Sequence, residues 1–531
     1  MARSATLDMT QGSLGRQIIG FSLPLMFTNL LQMLFSMVDL AVVGRFSSSA
    51  AMGSVGSTTT LIFLFTGFLM GLGSGVNVLV ATHFGARSEK NVRESVHTSF
   101  LVCLIAGFLM LALGLIFARP LLELLNTRDD LIDGAELYLR IYFLGMPAAA
   151  LYNYGNGVLN AIGDTKTPLI FLSTAGVLNV ILDLAFVIGL GMSTDGVALA
   201  SMLSQCVSAG LIVRSLMRSK EIYSLSLKEV RFHKDKAIHA LSVGVPAGLQ
   251  NAIFSVANLF IQAGVNSFST VVVEGNSAAG NVDNLVYSVM NAFYIACSSF
   301  VGQNYGAGKS RRVLKSYLLT LCYSAVAAAV LGGLFLLAAL ALTARNLRQE
   351  ARAQTAAEQT LQTLAPIVQT AADAQTPLEA EAVPADEQVI PDYQLDPQME
   401  MPVTTIDGVD YIGVLEIPAL KLTLPVAGDW SYALLDLAPC RYAGSAYLDD
   451  LVILGHNYRG FFRDLSQLQP GDAVFFTDTD GNRFSYAVSD FEQLRPSQTE
   501  DMLAGDWDLT LFTCTPGAQN RLAVRCLRSD P

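Results

Sequence analysis

A thiol, an imidazole and a guanidinium near the end of the chain have the types and the spacing for cysteine acyl transfer. Cys514 ends the short apolar run LTLFTC, and Arg521 opens the next run, RLAVRCL, after a Pro-Gly turn. His456 lies near the end of the run LVILGHN farther upstream and is the last histidine of the chain. Each of the three is predicted to stand at the end of a short strand, where side chains from neighbouring strands can meet.

The three groups have complementary chemical roles. A thiolate is the nucleophilic form of cysteine, so Cys514 would attack a peptide carbonyl and form a thioester. His456 would protonate the leaving amine, and Arg521 would donate to the oxygen that becomes negative in the tetrahedral state. The alternatives are a buried core thiol for Cys514, a structural histidine for His456 and a surface ion pair for Arg521. Arg525 is a rival arginine, because strand alternation places it on the same side as Arg521.

Composition divides the chain into a membrane part and a water-soluble part. Of the 531 residues 52% are hydrophobic and 15% charged, whereas ordinary soluble domains carry about 25% charged residues. The deficit is confined to the region before about residue 343, so we predict a transmembrane domain over 1–343, a helical stalk and linker over 344–406, and a soluble domain over 407–531. The net charge of −12, concentrated after the boundary, argues against nucleic acid as a partner.

The membrane part contains about nine apolar segments of spanning length. They are placed at roughly 16–42, 54–82, 97–118, 137–161, 168–190, 195–216, 238–265, 281–303 and 316–343. Lys and Arg concentrate in the loops after the second, fourth, sixth and eighth segments, which makes these loops and the N-terminus cytoplasmic. An odd number of spans then places the C-terminal domain outside the cell, although Arg345, Arg348 and Arg352 after the last span argue the other way. The sequence thus predicts a multi-pass cell-membrane protein with an extracellular C-terminal domain.

An internal repeat relates the two ends of the membrane part. PLMFTNLLQMLFSMVDLAVVGRFS (24–47) aligns with PAGLQNAIFSVANLFIQAGVNSFS (246–269), and HFGARSEKNV (83–92) aligns with NYGAGKSRRV (304–313). Both matched loops are predicted to be cytoplasmic, so the repeats run parallel, as in transporters built from two similar halves. The first copy has six predicted helices and the second only three, which indicates a truncated transporter body.

Acidic residues within the apolar segments are the candidate chemical groups of this body. A carboxylate inside a bilayer is costly and normally faces an interior cavity. Asp39 lies in the first segment, and Asn179 and Asp183 share one helix face because they are four residues apart. The alternative is that these side chains only join helices or lie near a membrane boundary.

Residues 10–340 resemble the multidrug and toxic compound extrusion (MATE) family. The resemblance rests on SMVDLAVVGRF, AIGDTKTPL, VLNVILDLAFVIGLGMSTDGVALAS and FVGQNYGAGK. It implies a cation site for Na⁺ or H⁺ built from Asp39, Asn179 and Asp183, with Ser201 as a candidate fourth member. The position of Asp39 in the second copy is occupied by Ile261, so that copy lacks the equivalent acid.

The region after 343 is predicted to change from helix to linker to strands. TARNLRQEARAQTAAEQTLQTLAP favours an amphipathic helical stalk, and the acidic, Pro-containing stretch at about 370–400 is typical of a disordered linker. From about residue 407, short apolar runs alternate with turn signals, including an Asp480-Gly481 pair that indicates a hairpin. This spacing predicts a small all-β barrel or sandwich.

Residues 407–531 resemble the sortase family. LTLFTC, LGHN and NRLAV stand in the order of that family's cysteine, histidine and arginine motifs, although the PGAQ connection between Cys514 and Arg521 is short. The resemblance implies an eight-stranded barrel, cleavage of a Leu-Pro-X-Thr-Gly-like sorting signal after Thr, and transfer to an amine of the Gram-positive cell wall or a pilin. Cys440 and Cys526 are left over and could form a disulfide. No metal or organic cofactor is evident.

The overall expectation is therefore a multi-domain fusion. An all-α, polytopic, MATE-like bundle with an incomplete second half is followed by a linker and an all-β sortase-like barrel. Three functions remain open: a membrane-anchored sortase transpeptidase, a cation-coupled multidrug exporter with an accessory domain, and a cysteine hydrolase on the same barrel. An amine acceptor separates the first from the third, and efflux that depends on the buried acids identifies the second.

Overall fold

The structure is a computed structural model in which residues 6–125, 127–265, 268, 270–375, 391–496, 498–515 and 520–529 are described. The chain divides into two compact units, Met1–Phe335 and Leu336–Pro531. The first is helical and the second is built mainly of β-strands. The boundary predicted near residue 343 lies within a helix that continues through it.

The first unit is a bundle of long helices. They are α1 (Leu14–Phe46), α2 (Ser49–Gly85), α3 (Glu89–Leu124), α4 (Asp129–Leu144), α5 (Met146–Ala161), α6 (Lys166–Leu184), α7 (Thr194–Arg218), α8 (Lys234–Val265), α9 (Thr270–Gly306) and α10 (Ser310–Gln375). A π-helical turn, Ala185–Gly189, extends α6. Within the described part of the chain, eight helices are long and apolar enough to cross a membrane. The bundle confirms the predicted all-α, multi-pass membrane fold.

The fourth predicted span is not a continuous helix. The apolar run at 137–161 is divided at Gly145 into α4 and α5, each of 16 residues. Pro147 explains the division, because proline lacks an N–H and its ring clashes with the carbonyl four residues earlier. Neither helix alone reaches the roughly 20 residues of a typical span. The sequence predicts about nine spans, and among the described residues eight of them are long helices while the fourth is this broken pair.

Glycines on α2 let the two copies of the repeat approach closely. A Cβ atom added at Gly75 would lie 2.3 Å from the Ala240 carbonyl oxygen on α8, and one at Gly85 would lie 1.9 Å from the Gln303 carbonyl oxygen on α9. Small residues at such crossings allow backbones to pack in contact within a membrane. The first copy is thus joined to the second through the backbone of α2.

The second unit is a closed β-barrel with short helices. Its elements after α10 are α11 (Asp392–Leu395), β1 (Thr404–Ile406), β2 (Val409–Ile417), β3 (Leu422–Ala427), α12 (Tyr432–Leu435), β4 (Cys440–Ala443), β5 (Leu451–Leu454), β6 (Ala473–Asp478), β7 (Arg483–Leu494), α13 (Thr499–Leu503), β8 (Leu509–Cys514) and β9 (Arg521–Arg528). The strand order is β1-β2-β3-β4-β5-β8-β9-β7-β6, and β2 also pairs with β6. That pairing closes a ring of eight strands, to which β1 is added at the edge of β2. The expected eight-stranded barrel and its β6–β7 hairpin at Asp480-Gly481 are confirmed.

Parts of the segment predicted as stalk and linker pack on the barrel. Ala353 and Ala357 of α10 are buried against the barrel core, and Leu364 and Val368 lie in a second apolar cluster with residues of β2, β3 and α12. Residues 376–390 of the predicted linker lie outside the described residues. After them the Tyr393 ring stacks on the Tyr447 ring at a centroid distance of 4.8 Å. The prediction of a disordered linker is therefore wrong for 370–375, which belong to α10, and for 391–400, where Tyr393 and Met399 are half-buried against the barrel core.

The two leftover cysteines of the barrel are not joined. Cys440 and Cys526 are free, buried thiols in different apolar clusters. Burial raises the pKa of each thiol to about 12, so both remain protonated and inert. The alternative of a disulfide between them is wrong for this structure.

Candidate active site and candidate cation site

Strand register brings the three predicted catalytic residues to one edge of the barrel. β5 and β8 run parallel, with Leu454 opposite Phe512, and the Gly455 amide donates to the Phe512 carbonyl oxygen at 3.1 Å. His456 and Cys514 each follow two residues later, so both leave the sheet at the same end. β8 and β9 are antiparallel, and their register pairs Cys514 directly with Arg521.

Cys514 shares the outer face of β8. Thr510, Phe512 and Cys514 alternate with core residues along the strand, and Phe512 lies in a small apolar cluster with Val452 and Ala523 that is separate from the barrel core. The Cys514 side chain is half-buried rather than enclosed. A peptide lying along this outer face could therefore reach the thiol, and the alternative of a core thiol is disfavoured.

Arg525, the rival arginine, is bound to other groups of the barrel. The Arg525 side chain is 1% exposed and binds the Glu492 carboxylate through Nε at 3.0 Å and through a terminal nitrogen at 2.6 Å. Its remaining donors go to a hydroxyl and two carbonyl oxygens: Thr510 Oγ1 at 3.0 Å, Met502 O at 2.8 Å and Asp501 O at 2.8 Å. Arg521, four residues earlier, is half-buried at the mouth of the strand pair. This difference favours Arg521 as the group that contacts the substrate.

His456 has two partners that the sequence analysis missed. Its Nε2 lies 3.5 Å from Oδ1 of Asp436, and the Tyr458 hydroxyl donates to the same oxygen at 3.1 Å. The rings of His456 and Tyr458 are 4.7 Å apart. The only sequence signal was the proximity of Tyr458 to His456 in GHNYRG, whereas Asp436 is brought from a distant loop.

The two partners have defined electrostatic effects. Burial lowers the pKa of His456 below its ordinary value, and the Asp436 carboxylate opposes that shift. Burial and the same carboxylate raise the pKa of Tyr458 to about 12, so its hydroxyl remains a donor. A neutral imidazole with a carboxylate at Nε2 favours the tautomer whose proton is on that nitrogen. In that tautomer Nδ1 is the ring nitrogen without a proton.

The four polar residues predicted in the membrane part also come together. Asp39 on α1, Asn179 and Asp183 on α6, and Ser201 on α7 are each no more than 9% exposed. Ser201 donates to Asp39 Oδ2 at 2.9 Å, and Asp39 lies within interaction range of Asp183 and Asn179. Among the described residues, Asp39 Oδ1 and both carboxyl oxygens of Asp183 have no hydrogen-bond partner.

This arrangement fits a small cation or a shared proton. Buried carboxylates are normally paired, and hard cations are bound by carboxylate, carbonyl and hydroxyl oxygens. The π-helical turn Ala185–Gly189 begins two residues after Asp183, and such turns within α-helices are frequent at functional sites. The alternative in which these residues only join helices does not account for the three unpartnered carboxyl oxygens.

Comparison with known families places both parts of the chain. The MatE family model matches residues 24–185 and 246–371, and the Sortase domain model matches residues 415–529. The sortase match includes all three predicted catalytic positions. The second MatE segment extends along α10 into the part that packs on the barrel.

Curated relatives and solved structures match the helical part. "Probable multidrug resistance protein YpnP" of Bacillus subtilis is 31% identical over 309 residues, which span 58% of this chain and 68% of the relative. The "FAD transporter" of Shewanella oneidensis is 25% identical over 58% of this chain and 69% of its own length. Among solved structures, the chain aligns with the outward-facing conformation of a multidrug resistance MATE family transporter of the MOP superfamily. The TM-score is 0.59 and the identity 22%, over 64% of this chain and 76% of that one. This similarity supports the fold alone. The chain therefore belongs to the MATE family and carries a sortase domain at its C-terminal end.

Proposed function

We propose that the C-terminal barrel is a membrane-anchored, sortase-type cysteine transpeptidase. It cleaves a Leu-Pro-X-Thr-Gly-like signal between Thr and Gly and transfers the acyl group to an amine of the cell wall or a pilin. The observation that carries this proposal is the strand register, which brings Cys514, Arg521 and His456 to one edge from three different strands. The match of the Sortase domain model to the same residues supports it.

The proposed reaction has two steps, formation of a thioester and its attack by an amine. Cys514 passes its proton to the neutral imidazole of His456, and the resulting thiolate attacks the threonine carbonyl carbon. The C–N bond to glycine breaks as His456 gives that proton to the departing amine. In the second step an acceptor amine attacks the thioester and loses a proton to His456, and the C–S bond breaks to restore the thiolate. Arg521 donates to the carbonyl oxygen while it carries negative charge in both steps.

The test uses the full chain in detergent with a peptide library based on the sorting signal. Cys514→Ala should abolish cleavage, whereas Cys322→Ala, which removes an exposed thiol of α10, should leave the rate unchanged. Cleavage that survives in Cys514→Ala would refute the assignment. Adding an oligoglycine acceptor should convert the product from acid to amide, and a product that stays acid would favour the hydrolase.

The orientation of the chain is part of this proposal. The loops rich in Lys and Arg support a cytoplasmic N-terminus and an extracellular barrel, provided that α4 and α5 cross the membrane together as one broken span. Protease added to intact cells should then release the barrel while the cytoplasmic loop at 219–233 stays protected. Release of the barrel only after lysis would contradict this orientation.

A second candidate function is cation-coupled export of small molecules by the helical part. The observation that favours it is the group of unpartnered carboxyl oxygens on Asp39 and Asp183. Efflux of a cationic dye by cells that express the full chain should be lost in Asp183→Asn and retained in Asp133→Asn, which changes an exposed surface carboxylate. An absence of efflux by the wild-type chain would count against this function without affecting the first.

A further inference from the structure

Helix α10 contacts the acid that stands beside the candidate catalytic histidine. The Gln349 side-chain amide donates from Nε2 to both oxygens of the Asp436 carboxylate, at 3.1 Å and 3.2 Å. The nearer of these oxygens, Oδ1, is also the one that lies 3.5 Å from Nε2 of His456. Gln349 is thus linked to the imidazole of His456 through the Asp436 carboxylate.

The next residue of the helix holds the loop that follows His456. The Glu350 carboxylate accepts from the backbone amide of Arg459 and from the Arg463 guanidinium at 2.9 Å, and its side chain is only 16% exposed. The same loop returns to the histidine, because the Phe462 amide donates to the His456 carbonyl oxygen at 3.2 Å. Residues 456–463 are therefore fixed at both ends, by the helix and by their own backbone.

Helix and loop also pack in contact at one glycine. A Cβ added at Gly460 would lie 3.2 Å from Cγ of Gln354, one turn of α10 beyond Glu350. Ala353 on the same helix is 1% exposed in the barrel core. This stretch of helix is thus anchored to the barrel by apolar packing and directs its polar side chains at the histidine loop.

We propose that Gln349 and Glu350 of α10 are positioning residues for His456, and that they act through Asp436 and through the 457–463 loop. The inference rests on the proposed transpeptidase function and deepens it. Catalysis by His456 needs one ring nitrogen held and the other directed at the amine that departs or arrives. A misplacement of about 1 Å can cost roughly 100-fold in rate, so the support of the ring has kinetic consequences.

The same helix carries exposed leucines just upstream of these residues. Leu336, Leu337, Leu340 and Leu342 are more than half exposed, which is typical of a segment that faces lipid. Gln349 follows Leu342 by seven residues, about 10 Å along a helix. The anchor and the support of the catalytic histidine are consequently parts of one helix.

Removal of the helix contacts tests the positioning role. Gln349→Ala and Glu350→Gln, each in the full chain in detergent, should lower kcat for the sorting peptide about tenfold, or ~1.4 kcal/mol in activation free energy. KM should stay unchanged, because neither side chain contacts the substrate. Gln362→Ala is the matched control, since this glutamine is exposed on the same helix, and it should leave both constants unchanged. An unaltered kcat in both Gln349→Ala and Glu350→Gln would overturn the proposal.

A second measurement does not depend on catalysis. The charged and titratable groups around His456 are Asp436 and Tyr458 beside the ring, Glu350 and Arg463 along the loop, and Cys514 and Arg521 at the strand ends. Hydrogen–deuterium exchange at the imidazole C2 position, followed by mass spectrometry of the peptide that contains His456, reports the titration of this ring in the full chain. Burial lowers the pKa of His456 and the Asp436 carboxylate raises it, so removal of that charge should lower the midpoint.

The exchange experiment has a matched pair of substitutions. Asp436→Asn should lower the midpoint of His456, because it removes the negative charge beside the ring, and Gln349→Ala should lower it less. Asp407→Asn, in the exposed turn between β1 and β2, should not move it. A midpoint unchanged in both Asp436→Asn and Gln349→Ala would refute the positioning role even if the peptide is cleaved. A wild-type chain that cleaves nothing but shows these shifts would instead refute only the transpeptidase function.

Discussion

Leu364→Ala tests whether α10 is a structural part of the barrel rather than a stalk beside it. Leu364 is completely buried and lies in a cluster with Tyr411 and Val414 of β2 and Leu435 of α12. If this packing stabilises the barrel, truncation of Leu364 on α10 should lower the free energy of unfolding of the barrel. The first strand of that barrel begins 40 residues after Leu364.

The expected cost follows from the burial of the side chain. Leu364→Ala removes three carbon atoms, or about 2.4 kcal/mol at ~0.8 kcal/mol for each buried carbon. The unfilled cavity adds to this, which gives a total of about 2–5 kcal/mol for substitutions of this kind. With a denaturant dependence of about 2 kcal/mol/M in urea, the unfolding midpoint should fall by about 1–2.5 M.

The chain provides its own probe for this measurement. Its two tryptophans, Trp430 and Trp507, both lie in the second unit, so tryptophan fluorescence of the full chain in detergent reports on that unit alone. Leu347→Ala is the matched control, because Leu347 is on the same helix and 60% exposed. It should change the stability by less than about 0.5 kcal/mol. Equal midpoints for Leu364→Ala and the wild type would show that the helix does not stabilise the barrel, and would also weaken the case for α10 as a positioning element.

Three further predictions concern the barrel. Arg525→Met should destabilise it by about 1–3 kcal/mol in urea unfolding, because the carbonyl oxygens of Met502 and Asp501 lose their donor and the Glu492 carboxylate loses its partner. Arg521→Met should destabilise it less and lower kcat by about 10²–10³-fold. The reverse pattern would exchange the roles of the two arginines. Because burial lowers the pKa of His456, the unfolded chain binds a proton that the folded barrel does not between that lowered pKa and about 6.5, so stability should fall as pH falls through this window. His456→Gln should remove this part of the pH dependence, and an unchanged profile would contradict the assigned shift. Gly413→Ala should weaken the closure of the ring, since its Cβ would lie 2.1 Å from the Thr477 carbonyl oxygen on β6. Unaltered thermal unfolding would argue against this contact.

The sequence predicted which residues are chemically competent but not how they are supported. Short apolar runs ending in a histidine, a cysteine and an arginine are local patterns, and a strand end can be predicted from such a pattern. The link between His456 and Asp436 spans 20 residues, and the link from Asp436 to Gln349 spans 87. Contacts of this kind depend on the closed barrel, so no pattern in the chain signals them.

The same limit explains the two corrections to the fold. The spacing of Ala353, Ala357, Leu364 and Val368 predicts an amphipathic helix with one apolar face. Which part of the fold packs against that face depends on tertiary structure and not on the local sequence. In the membrane part, overall hydropathy continues through Gly145 and Pro147, so a hydropathy criterion predicts one span where the backbone geometry of proline requires two helices.

The choice between two arginines on one strand shows what decides a catalytic role. Arg521 and Arg525 have the same side chain and face the same side of β9. A guanidinium can stabilise a developing oxyanion only if donors are directed at the reacting carbonyl. Arg525 directs its donors at Glu492, a hydroxyl and two backbone carbonyls. Turning them toward a substrate would leave that carboxylate without its partner and the carbonyl of Met502 without its donor, and the desolvation cost would exceed the gain. Arg521 is the direct cross-strand neighbour of Cys514, so its guanidinium would lie nearer than that of Arg525 to a carbonyl attacked by the thiol.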